Sequence, residues 1–209
     1  MKVLPASLWL AYGARDPAAL QKLVPPHLRL ARCRLLATDG RPAYRLLFNA
    51  YEVRGAFMNG HRIDIQTFAV DPATHTPHLV ILDCITNTLD WNPIAGVTLG
   101  DGHFHGSDRS AYALRARSSR GALFVDGAFG ERRPIDWTFA VDANRRCFYG
   151  TDAHGLDMTF DEAEVARGVR LLHRPRVENT LWAQHRRAHP THVFVHEHPM
   201  TFHVHDWAW

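Results

Sequence analysis

Lysine is almost absent from this chain. Lys2 and Lys22 are the only two in 209 residues, against 22 arginines. Chemistry that needs a lysine amine in the middle of the chain is excluded, because an imine forms only on such a nucleophile. Cysteine is scarce as well. Cys33, Cys84 and Cys147 are odd in number and widely spaced, with no CxxC pair. A disulfide framework and a thiolate zinc site both fall away, and a reduced, cytoplasmic setting is expected. Cys84 lies inside LVILDCIT and reads as a small core residue rather than a nucleophile. No apolar run approaches the roughly 20 residues of a membrane span, so no membrane partner is expected. The opening MKVLPASLWLAYGARDP is not read as a signal peptide, because Pro5 interrupts it and Asp16-Pro17 follows. The net charge is only +3. Arginines come in scattered pairs (Arg132-Arg133, Arg145-Arg146, Arg186-Arg187) without a basic stripe, so no nucleic-acid partner is expected. GDGHFHGSD has three glycines but neither a lysine nor a strand–loop–helix setting, and Ser110 and Ser118 sit in no GxSxG elbow.

What is present is an ordinary globular composition, 46% hydrophobic and 22% charged. No repeat, linker or low-complexity tract divides the chain, so one domain over residues 1–209 is expected. Asp16-Pro17 predicts a helix N-terminus, with AALQKL as a short helix stopped by Pro25-Pro26. From Leu28 on, LRLARCRLLA, AYRLLFNAYEV, HRIDIQTFAV and HLVILDCITN are strand-like, separated by Asp39-Gly40, Asn59-Gly60 and Asp71-Pro72. Asn59-Gly60 is the strongest hairpin signal. After Asp90-Trp91-Asn92-Pro93 an irregular, glycine-rich stretch is expected through Asp108. Strand-like AYALRAR, ALFVDGAF, IDWTFAV and RCFYG follow. Thr159 and Glu162 have the form of a capping box opening a second short helix, whose carboxylates Asp161, Glu162 and Glu164 suit a first turn. VRLLHRP, THVFVHEH and TFHVHDW complete the strands. The fold class is α+β and β-dominated: an antiparallel β-barrel or cone with a few short marginal helices.

Two candidate sites stand out. In a period-2 strand, Arg62, Asp64 and Gln66 share one face and Ile63, Ile65 and Thr67 the other. A carboxylate beside a guanidinium suits orienting a small polar substrate, so Asp64 and Arg62 are the candidate catalytic pair. Gln66, Asn87, Asp90, Trp91 and Asn92 are candidate substrate-binding groups. The plainer reading is a solvated strand face with a surface ion pair. The second site is histidine: 15 in all, with three His-x-His spacings at His103-His105, His196-His198 and His203-His205. In strands, each pair shares a face about 7 Å apart. If Pro199-Met200 turns the chain back, five histidines line one side of a hairpin, and His196, His198, His203 and His205 become candidate ligands for a divalent metal. The plainer reading is histidines filling a wet face. No cofactor is otherwise expected.

Asp16-Pro17-Ala18-Ala19-Leu20 with Leu23-Val24-Pro25-Pro26, Arg62 through Phe68, and His78 through Pro93 carry a family likeness. These segments resemble acetoacetate decarboxylase-like proteins, especially a bacterial branch without the decarboxylases' lysine. The resemblance implies an antiparallel barrel or cone around a buried pocket. In the decarboxylases the family proline is followed by a Schiff-base lysine pair; here Pro93 is followed by Ile94 and Ala95. The resemblance implies Asp64 as the counterpart of the family's acidic partner. The expected function is a small-molecule enzyme on such a barrel, not a Schiff-base decarboxylase. It would act on a small carbonyl or carboxylate compound by acid–base chemistry of the lyase, isomerase or hydratase type. The alternatives are a non-catalytic hydrophobic-ligand-binding protein and a histidine-dependent metalloprotein. The expected partner is a small molecule, with self-association into a homo-oligomer left open.

Overall fold

The computed structural model describes residues 2–55, 59–87, 97–106, 111–134, 146–160 and 168–205. The strands are β1 (Lys2–Val3), β2 (Ser7–Gly13), β3 (Arg29–Leu30), β4 (Arg32–Cys33), β5 (Ala43–Arg54), β6 (Asn59–Val70), β7 (Pro77–Thr86), β8 (Val97–Gly106), β9 (Ala111–Ser118) and β10 (Gly121–Arg133). They continue with β11 (Arg146–Tyr149), β12 (Leu156–Phe160), β13 (Val169–Asn179), β14 (His192–His196) and β15 (Met200–Val204). Among the described residues one helix, α1 (Pro17–Gln21), starts where the sequence predicts. Asp16 caps it by accepting from the N–H groups of Ala18 and Ala19 at 2.9 and 3.1 Å.

All the described strands join in one sheet, and that sheet closes twice. One circuit runs β7-β8-β9-β10-β13-β14-β2-β5-β6 and back to β7. The other is a closed seven-strand barrel, β1-β15-β12-β11-β7-β6-β5 and back to β1. Strands β5, β6 and β7 are common to both. Their two faces therefore look into two different interiors, which explains why these long strands are buried almost throughout. Leu46, Phe48, Ala50, Ile63, Ile65 and Val80 face the first core, with Leu8, Leu10 and Val125 opposite. Leu47, Phe68, Leu79 and Ile81 face the second, with Cys147, Met158 and Phe194. Val3, Tyr51, Val53 and Met200 close one end of that second interior.

A bulge controls which side of β7 faces which core. Ile65 pairs with Asp83 and Gln66 with Ile81, leaving Leu82 as the extra residue. Val80 and Leu82 before the bulge, and Ile85 after it, belong to the first core. The parity switch turns Cys84 onto the other side, opposite Asp64. Asp83, turned the other way, is saturated: it accepts from Arg120 at 2.6–2.7 Å, Trp182 Nε1 at 2.8 Å and the Cys84 N–H at 2.9 Å.

Several expectations need correction. The stretch expected to be irregular contains β8, which pairs parallel to β7 and antiparallel to β9. A register shift between Leu99 and Asp101 absorbs the misfit there, and the neighbouring strands supply what propensity lacks. The β5–β6 hairpin exists, but Asn59 and Gly60 already lie in β6, paired to Arg54 and Val53, so the turn comes before them. LRLARCRLLA forms only the two short strands β3 and β4. Thr159 belongs to β12, and its hydroxyl bonds the His205 ring at 2.7 Å instead of capping a helix. Phe160 also belongs to β12, and residues 161–166 of that expected helix, with IDWTFAV, lie outside the described residues.

Candidate functional site

The face of β5, β6 and β7 that looks into the seven-strand barrel is not purely apolar. Register stacks its polar groups in rows. Tyr51 lies opposite Arg62, and Asn49 opposite Asp64, which has Cys84 on its other side. Leu47, Gln66 and Ile81 follow, with Tyr149 beside Ile81. On β2, Trp9 stands beside Asn49, and Ser7 lies two residues further on the same face, paired to His196 of β14. Directly opposed residues sit about 5 Å apart at Cβ and diagonal ones about 7–8 Å.

Arg62, Asp64 and Gln66 thus share a face as the period-2 reading predicts, but the face is not solvated. Their exposures are 4%, 2% and 3%. Arg62 donates to Asp64 Oδ1 at 3.2 Å, and the Tyr51 hydroxyl donates to Asp64 Oδ2 at 2.6 Å. The carboxylate is therefore held from both sides, one oxygen by a cation and one by a phenol. Burial pushes the Tyr51 phenol well above its ordinary pKa; Arg62 opposes this and Asp64 reinforces it. Burial also works against the Arg62 charge, but Asp64, with the neighbouring Tyr51 and Tyr149 phenols and the Cys84 thiol, outweighs it and holds the guanidinium well above its usual value. Burial likewise raises the Tyr149 phenol and the Cys147 thiol. Both phenols and that thiol are neutral near pH 7, and Arg62 and Asp64 carry the row's opposite charges.

Other predicted site residues fall elsewhere. Asn87 is exposed and closes the end of the β6–β7 pair, accepting from the His61 N–H at 2.7 Å and returning its own N–H to the His61 carbonyl at 3.2 Å. Asp90, Trp91 and Asn92 lie outside the described residues. The histidine hairpin does not form. β14 lies between β13 and β2, whereas β15 lies between β12 and β1, so the segment between them carries the chain from one circuit to the other. His196 is buried, and its Nδ1 meets the His198 carbonyl at 2.9 Å. The His196 and His198 rings are 6.2 Å apart. His203 is exposed opposite Thr159 in the β12–β15 ladder, and His205 bonds the Thr159 hydroxyl. Among the described residues, no three His, Cys, Asp or Glu side chains gather as a metal would need. His103 and His105 lie in β8, at register positions opposite Arg115 and Ala113. Lys2 and Lys22 are both exposed.

Tyr51, Asn49, Ser7 and Tyr149 are the members of the row that sequence reasoning missed. Asn49 and Tyr51 carry a signal nonetheless: they interrupt the apolar run LLFNAYEV at the same parity, as polar groups do on a face lined for a ligand. Outside the barrel, an open groove of about 600 Å³ lies against Arg115, Arg117, Phe124, Asp126, Arg176 and Glu178. Its charges are mixed, and Arg176 pairs with Glu178.

A closed seven-strand barrel sharing three strands with a second circuit matches the acetoacetate decarboxylase-like fold. Acetoacetate decarboxylase from Legionella pneumophila superposes with a TM-score of 0.61 at 11% identity, covering 98% of this chain and 86% of that one. The enduracididine biosynthesis enzyme MppR in complex with pyruvate also reaches 0.61, at 7% identity, over 98% of this chain and 88% of that one. No family model and no curated protein sequence matches. At these identities the likeness speaks for the fold and not for the role of any residue.

Proposed function

We propose that this chain is a small-molecule enzyme that acts on a small carbonyl or carboxylate compound by acid–base chemistry, without a lysine imine. The observation that carries the reading is the buried Tyr51–Asp64–Arg62 constellation inside a barrel whose structural neighbours include a decarboxylase and a pyruvate-bound enzyme. Each Asp64 oxygen keeps a second lone pair beyond its present bond. Asp64 takes a proton from the carbon next to the substrate carbonyl, and the C–H electrons move to the carbonyl oxygen. Once protonated, Asp64 is a poorer acceptor for the Tyr51 hydroxyl. That hydroxyl turns to the developing enolate, and Arg62 supplies positive charge beside it. Reprotonation at the same or a neighbouring carbon gives an isomerase outcome; where the β-carbon carries a leaving group, the enolate electrons form the Cα–Cβ double bond and the group departs with its bonding pair, which gives a lyase outcome.

The test is exchange of α-protons of small ketones and oxo acids with solvent deuterium, followed by proton NMR. Asp64→Asn is expected to abolish exchange and Tyr51→Phe to slow it by about 100-fold. Full exchange in Asp64→Asn refutes the reading. A second reading, a non-catalytic binder, draws on the fact that both Asp64 oxygens are already engaged. Tight ligand binding with no exchange in the unaltered chain decides for it.

A further inference from the structure

The row contains buried polar groups that its own neighbours leave unsatisfied. Ser7 Oγ, Asn49 Oδ1 and Gln66 Oε1 have no hydrogen-bond partner among the described residues. Their residues are 1%, 7% and 3% exposed. Such groups are costly to bury and rarely left so. Asn49, directly opposite Asp64, and Gln66, two residues beyond it, lie on the face that looks into the seven-strand barrel, while Ser7 lies diagonal to Asn49 on β2, which is outside that circuit. Apolar surface continues from them at Ala11, Leu47, Phe68, Ile81 and Phe194.

Charge decides which ligand these groups suit. Arg62 and Asp64 cancel, and the phenols around them are neutral. An anionic ligand would either enter without a compensating charge or take Arg62 from Asp64 and strand a carboxylate. Neither is favourable in a buried site. A neutral ligand meets no such cost. Amides and a hydroxyl each offer both donor and acceptor capacity, so they fit a ligand that does the same. By register Asn49 lies about 8 Å from Gln66 and about 8 Å from Ser7, which sit on opposite sides of it about 16 Å apart, so a compound of a few carbons reaches Asn49 and Gln66 together but not Ser7 as well.

We infer that this row selects a neutral hydroxycarbonyl compound with a short apolar tail, recognised by Asn49 and Gln66, and discriminates against the corresponding oxo acid. The inference rests on the reading of this row as the ligand site, and narrows its substrate class.

The experiment uses the full chain and a matched pair of ligands, 1-hydroxy-2-pentanone and 2-oxopentanoate, which share a skeleton and differ in charge. Calorimetry or saturation-transfer NMR is expected to find the hydroxyketone bound at least about ten-fold more tightly. Asn49→Leu and Gln66→Leu are each expected to weaken it by about ten-fold while leaving the melting temperature unchanged or higher, because each removes an unsatisfied polar group from the free protein. A merely structural role predicts the opposite, a lower melting temperature with affinity retained, and that result overturns the inference. So does equal or tighter binding of the oxo acid, or binding of neither compound at millimolar concentration. Preferential oxo-acid binding with Asp64-dependent exchange removes this inference and leaves the acid–base reading standing. Selective hydroxyketone binding without exchange does the reverse.

Discussion

Replacing Tyr51 by Phe removes one atom and isolates one interaction. The Tyr51 hydroxyl donates to Asp64 Oδ2 at 2.6 Å, and no other partner of it is seen among the described residues. The ring stays packed with Val3, Val53 and Met200, so no cavity of consequence opens. What is lost is a short hydrogen bond to a carboxylate, a kind that contributes about 1.5–3 kcal/mol. Asp64, at 2% exposure, has no water at hand to replace it. The gain from no longer burying a phenol hydroxyl is smaller, since that hydroxyl is satisfied in the native state. In a chain of this size about 2–4 °C of melting temperature corresponds to 1 kcal/mol, so the expected drop is about 3–12 °C by calorimetry. In an Asp64→Asn background the same change should cost about 1 kcal/mol or less, because the bond no longer involves a carboxylate. A melting temperature within about 1 °C of the parent, or an equal loss in both backgrounds, would show that Tyr51 and Asp64 are not energetically coupled.

Asp39 and Arg186 give two further tests away from the barrel interior. Burial works to raise the Asp39 pKa, but the Leu35 N–H, the His192 ring at 2.7 Å and the Leu36 N–H outweigh it and leave the value lowered. A depressed carboxylate stabilises the fold above its unfolded pKa of about 3.9 and loses that contribution as pH falls through the lower folded value. Urea midpoints of Asp39→Asn should therefore lie below the parent at pH 7 and converge with it as the pH falls below about 4; parallel curves would refute this. Arg186 donates to the carbonyls of Leu181, Arg187, Ala188 and Asn179 and stacks 4.5 Å over Tyr12. Arg186→Lys cannot serve that set with three donors on one nitrogen, and a loss of about 2 kcal/mol is expected, with faster amide exchange at Thr180 and His185. Unchanged exchange there would mean that the 179–188 turn is held by other contacts.

The parts of this fold that depend on neighbours in sequence were legible. Asp16 followed by Pro17 marks a helix start, because the side chain that accepts the orphan N–H groups is two and three residues from them. The strand content follows from the residue types of β5 to β7. The common face of Arg62, Asp64 and Gln66 follows from the two-residue period alone. Their burial does not, since what covers that face is β1, β11, β12 and β15, drawn from both ends and the middle of the chain. The histidine tail fails in the opposite sense. His196 and His203 are close in sequence and far apart in pairing, because the chain leaves one circuit for the other between them. Cys84 has the parity of Val80 and Leu82, and only the bulge at Leu82 turns it toward Asp64.

A strand with one wet face can carry a carboxylate and a guanidinium at little cost, and their presence then says little about function. Here β5 and β6 separate two interiors, and every buried polar residue on them must find its partners inside the protein. Arg62 and Asp64 do so with each other and with Tyr51. Thr67, on the opposite parity, does so with the Arg45 carbonyl at 2.7 Å. Asn49 and Gln66 break that rule through atoms aimed at one interior, while the first core beside them is lined largely by leucine, isoleucine, valine and phenylalanine. A chain needing only a stable barrel would place apolar residues at these positions as well, since replacing an unsatisfied buried amide by leucine is neutral or favourable for the fold. Conflict with local stability, clustered around an ion pair, is the pattern left by a binding site.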